Sequence, residues 1–142
     1  MNYKDKKIVA IVATNVEPKV ALNVVGHMAL SIGKYSDAEI MGKPIISDKS
    51  STQHLGISQF PFIVTKVKPG KLRAAIAKAK ANPNLLVADY PKEVLTTWTD
   101  DELVEAVGNK EEAELEYLGA MIYGSTEEIN EITGKFQLWN ID

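Results

Sequence analysis

The chain has 142 residues, 45% apolar and 25% charged, the balance of an ordinary globular fold, and it contains no cysteine. Disulfides, thiolate metal sites and a cysteine nucleophile are thereby excluded, and two histidines 27 residues apart make no recognisable zinc motif. The formal net charge of −3 conceals a polarity: residues 1–90 carry 13 Lys and Arg against 6 Asp and Glu, whereas residues 91–142 carry 3 against 13. Either a basic face suits phosphates and an acidic face a basic partner, or the two halves interleave in the fold and the charges average out.

The length predicts one domain, 1–142, with a core of its own. The apolar run behind the charged N-terminus is too short for a signal sequence, and no stretch approaches the ~20 apolar residues of a membrane span. A soluble, cytoplasmic protein with no membrane partner is expected.

Periodicity predicts a first strand over Lys7–Ala13, then a helix ending near Gly33. That helix has two plausible starts, a capping box from Thr14 to Glu17 or Pro18 in the first turn. Residues 37–58 are polar and broken by Gly42, Pro44 and Gly56, which reads as a long connection with a short strand at Pro44–Ser47. Connections of such length are often functional. The β-branched run from Pro61 to Val67 is a strand, and Pro69-Gly70 opens a helix with Leu72, Ala75, Ile76 and Ala79 on one face, stopped by Asn82-Pro83. Leu85–Ala88 is a short buried strand. From Lys92 to Asn109 the pattern is helical, broken by a capping box at Thr99–Glu102. Its apolar positions Leu95, Trp98, Leu103, Val104 and Val107 suit helices covering the sheet. The acidic run 110–116 is solvated, Leu118–Tyr123 is a strand, Ser125 caps a helix that Gly134 ends, and Phe136–Trp139 alternates like a last strand. The order predicts an α/β fold whose final strand can run antiparallel.

Phosphate-binding glycine loops and a nucleophile elbow are absent. Lys19, Asn23 and His27 form a polar stripe at four-residue steps on the first helix. Asn15 follows the first strand and Asp89 ends Leu85–Ala88. Were those strands parallel neighbours, both residues would share a carboxyl edge of the sheet with Lys19, the usual ligand position in α/β folds. A lysine beside an aspartate can stabilise an oxyanion and orient water, the minimum for ester hydrolysis. The alternative is that Asp89 caps a turn before Pro91 and Lys19 is solvated. His27 lies about 12 Å along the helix from Lys19 and is read as a half-buried packing residue. His54 lies in the long loop, where it is either a ligand contact or simply exposed. Lys71, Arg73, Lys78 and Lys80 offer a basic surface that could meet RNA, or merely solvent.

Three strings carry a family resemblance: Lys19-Val20-Ala21-Leu22-Asn23, the strand-helix-strand from Phe62 to Asp89, and the tail from Ile129 to Leu138. The chain resembles the type II peptidyl-tRNA hydrolase fold and, within it, an uncharacterised branch, the domain of unknown function numbered 2000. The resemblance implies a single-domain mixed β-sheet flanked by helices, and a homodimer. It places Lys19 on the hydrolases' lysine, Asn23 where they have glutamine and Asp89 on the aspartate after their third strand, while their histidine falls at Gly26 rather than His27. Ala13 stands where they have arginine, and Tyr90–Trp98 replaces their Arg-Thr-Gln. The resulting expectation is a small carboxyl-edge pocket lined by Asn15, Lys19, Asn23 and Asp89, without metal or cofactor. In one version Lys19 and Asp89 hydrolyse an ester on an RNA-linked substrate, with Asn15 and Asn23 binding it. In others the pocket binds a small anionic or nucleotide ligand without turnover, or the acidic half engages a basic protein.

Overall fold

The run Ile8–Ala13 is buried on both faces of strand β1 (Lys6–Ala13), as its lack of polar alternation requires. The computed structural model describes residues 1–141. After β1 come α1 (Pro18–Tyr35), β2 (Ile45–Ser47), β3 (Gln53–Leu55), β4 (Phe62–Val67), α2 (Pro69–Lys80), β5 (Leu86–Pro91), α3 (Asp100–Gly108), β6 (Tyr117–Ser125), α4 (Thr126–Thr133) and β7 (Gln137–Leu138). Short 3-10 turns lie at 38–40, 92–95 and 112–114. The main sheet has the order β5-β6-β1-β4-β7, with β1 and β4 parallel and the other neighbours antiparallel. This is a mixed α/β fold with helices on both faces of a mixed sheet, and the antiparallel last strand follows the sequence pattern.

Alternation along β1 divides the core in two. Val9, Ile11 and Ala13 face Leu72, Ala75, Ile76 and Ala79 of α2 and Ile129 of α4. Ile8 and Ala10 face Val24, Met28 and Ile32 of α1, with Tyr90, Met121 and Tyr123 from β5 and β6. Gly119 lets α1 settle on β6: a Cβ there would stand 2.8 Å from Val24 Cγ1 and 3.0 Å from Ile11 O.

Two open alternatives are decided and two sequence expectations are corrected. β1 and β5 run in the same direction but are not neighbours, because β6 lies between them. The capping box at Thr14 does not form. The Thr14 amide bonds Val67 O at 2.9 Å, which extends the strand, and α1 begins at Pro18 behind an uncapped Glu17. The 37–58 connection contains a hairpin arm rather than one short strand. Its β2–β3 ladder continues through Gly42 N to Ile57 O at 2.8 Å, and every residue of both strands is exposed. At its tip Ser51 takes a left-handed φ of 67°, while Asp48 Oδ1 accepts from the Ser50 and Thr52 amides and Asp48 Oδ2 meets His54 Nε2 at 3.0 Å. Lastly, α3 does not cover the sheet, since none of its residues is buried.

Candidate functional site

The carboxyl ends of β1, β4 and β5 lie along one edge of the sheet. Ala13 is level with Val67, and Tyr90 is level with Val12 across Gly119. The sequence-predicted residues gather near this edge but not in one place. Asn15 is exposed in the turn before α1, and the Lys19 side chain is 83% exposed, with Glu17 at 3.5 Å as an ion partner. Asn23 points back to the sheet, where its Oδ1 accepts a 2.9 Å hydrogen bond from the Tyr90 hydroxyl. Asp89 takes the other face. Opposite Ala120 in the ladder, it is turned to the α2 side, where its carboxylate meets Lys80 Nζ at 2.5 Å.

Successive strand residues point to opposite faces, so Tyr90 takes the α1 side and Asp89 cannot. Lys19 and Asp89 therefore stand on opposite faces of the sheet. Around Asp89 the polar groups satisfy one another: Arg73 pairs with Glu112 at 2.7 Å and lies 5.0 Å over the Tyr117 ring, and the Tyr117 hydroxyl donates to Glu112 Oε1. Burial, then the Glu112 bond, then the charge of Asp89 push the Tyr117 phenol up to about 12.

His27, one turn beyond Asn23, sets its imidazole edge-on to Tyr90, with ring centroids 6.1 Å apart. The stripe thus resolves into two residues that flank a buried phenol, raised in pKa by burial, and a lysine that faces solvent.

A recess of about 270 Å³ lies at the ends of the parallel pair, with Thr14, Val16, Pro18, Lys66, Trp139 and Asn140 among its walls. Lys66 is level with Val12 on the α1 side of the sheet, and its ammonium donates to Asn140 Oδ1. The chain beyond β7 forms the outer wall, pinned by the Trp139 amide to Val64 O at 2.9 Å. Asn15 and Lys19 adjoin wall residues in sequence but do not line the recess. Lys66 was not among the site residues expected from the sequence. Its signal lay in strand alternation, which parts it from the buried Thr65, and in its place one residue before the strand end. Trp139 and Asn140 carried no local signal, because their position depends on the pairing of β7. Among the described residues, no group of three or more His, Asp and Glu is arranged to hold a metal ion.

Fold and edge together define a mixed-sheet α/β protein with a small polar recess where its parallel strands end. The chain belongs to the family described as Protein of unknown function (DUF2000), whose model matches residues 6–140. Its fold is similar to the solved structure of the protein of unknown function Atu0240 from Agrobacterium tumefaciens strain C58. The TM-score is 0.82 at 18% identity, over 96% of this chain and 98% of that one. No curated protein matches the chain.

Proposed function

We propose that this protein binds a small anionic ligand in the recess at the ends of β1 and β4, without turnover. The observation that carries the reading is that Lys66 and Thr14 line one recess of about 270 Å³. Ligands of open α/β sheets sit outside the carboxyl ends of the strands, and a cation beside a hydroxyl-bearing residue is the chemistry that holds a phosphate or carboxylate. The volume is below the range typical of drug-sized ligands, which favours phosphate, pyrophosphate or a small organic acid. Asn15 and Lys19, on the turn and first helical residues beside the recess, would meet the part of a longer ligand that projects from it. The ester-hydrolysis reading asks Lys19 and Asp89 to act on one atom, and their positions on opposite faces count against it.

Thermal denaturation with phosphate, pyrophosphate and a ribonucleoside monophosphate tests the reading. A ligand at a hundredfold excess over its Kd should add about 2.7 kcal/mol and raise Tm by roughly 5–10 °C. Lys66→Met should abolish that rise. A flat response to every anion removes the binding reading. Peptidyl-tRNA hydrolysis that is lost in both Lys19→Ala and Asp89→Asn would replace it with the enzyme.

A further inference from the structure

Residues 92–116 leave the sheet at the end of β5 and return at the start of β6 with their ends tied together. The Lys92 amide donates to Glu116 O at 2.9 Å, and the two side chains pair at 3.3 Å. Inside this excursion, Thr99 and Glu102 form a reciprocal capping box at the start of α3, and Lys110 beyond its far end bonds Glu93 Oε1 at 2.6 Å. These contacts hold the shape, with Glu93 buried, yet they leave large apolar side chains in water. Val104 is 70% exposed and Trp98 is 94% exposed.

A groove of about 400 Å³ has Thr96, Thr97 and Trp98 on one side and Glu102, Glu105, Ala106 and Asn109 on the other. The latter four follow the i, i+3, i+4, i+7 spacing of a single helix face.

An indole left in water forgoes the burial that favours large aromatics, so its exposure marks a contact surface. The groove has Trp98 on one wall and Glu102 and Glu105 on the other, with the Glu102 carboxylate accepting from the Trp98 amide at 2.6 Å. The excursion holds nine Asp and Glu and two Lys, and both lysines are engaged, Lys92 with Glu116 and Lys110 with Glu93. An exposed aromatic and two acidic residues lining one groove suit the side chain of a Lys or Arg. The acidic surround repels nucleic acid and anionic lipid, and a two-fold contact with a second copy would set this surface against itself.

From these observations we infer that the groove between Trp98 and α3 docks a basic segment of another protein, with one Lys or Arg held between the Trp98 ring and the Glu102 and Glu105 carboxylates. Leu95, 46% exposed, and Val104 offer apolar contacts on the same excursion. The groove shares no wall residue with the anion recess, so either site can fail without the other.

Fluorescence anisotropy of a labelled amphipathic Lys/Leu peptide of about 12 residues, with a Glu/Leu peptide as control, tests the inference. The Lys peptide should bind saturably at low salt and be released at high salt, while the Glu peptide should not bind. Trp98→Ala should weaken binding roughly fivefold to tenfold, and so should the paired Glu102→Gln and Glu105→Gln. Glutamine preserves the acceptor of the capping box and Trp98 is exposed, so an unchanged Tm separates docking from folding. Absence of binding overturns the inference, as does equal binding by wild type and Trp98→Ala. Self-association in sedimentation velocity that Trp98→Ala abolishes would also overturn it, by assigning the groove to a second copy.

Discussion

Asp89 and Tyr90 are sequence neighbours that belong to different halves of the molecule, one paired with α2 and the other with α1. The Tyr90–Asn23 bond joins a buried donor to an acceptor on an exposed residue, and that asymmetry sets the energetics. Tyr90→Phe removes the buried member and leaves Asn23 to water, which should cost about 1 kcal/mol. Asn23→Ala strands the phenol inside, for a cost of roughly 1–3 kcal/mol, so it should be the more damaging change in urea denaturation. The candidate site was legible at this scale only in part. A lysine and an asparagine four residues apart on a helix are visible in any sequence, but the face an aspartate takes depends on a one-residue register. Family register aligned Asp89 with Lys19, and strand alternation parts them.

At the level of single elements, capping chemistry was the most legible signal, because it is local. Thr99 and Ser125 accept amide hydrogen bonds from Glu102 and Glu128, and prolines open α1 and α2. Thr14 misled because its amide was already committed to β4. Thr99→Ala should cost about 1 kcal/mol and fray α3 before any other helix, read as faster amide exchange over 100–108. The apolar periodicity of α3 was legible too, but periodicity does not say what covers a face, and here Leu103, Ala106 and Val107 are only half-buried, with the 92–95 turn rather than the sheet as neighbour. Attachment of α3 also depends on pH. The Lys110 bond, against the opposing effect of burial, holds the Glu93 carboxyl below its ordinary 4.5. A folded value below the unfolded one means stability that is present above pH 4.5 and lost as pH falls through the folded value. Amide protection over 100–108 should therefore decline in acid below the ordinary Glu range. Glu93→Gln should flatten that dependence.

For the molecule as a whole, the division of β1 between two half-cores makes the central strands the most protected part. Every residue of β2 and β3 is exposed. Hydrogen exchange should be slowest over residues 8–12 and 119–123 and fastest over 43–56; comparable protection in the arm would mean that something covers it in solution. Strand order was the least legible property, since hydrophobic patterns name strands but not their partners, and nothing local announces that β6 inserts between β5 and β1. That same placement makes β5 and β6 antiparallel neighbours joined by 92–116, whose ends already meet at Pro91 and Tyr117. The join is topologically no more than a hairpin turn carrying a long insert. Replacing 95–114 by a short turn, which keeps Val94 and Leu115 against the two half-cores, should leave both standing, and grafting a foreign segment there should be tolerated. No wall residue of the recess comes from the insert, so the insert's sequence can change without touching either the sheet or the recess.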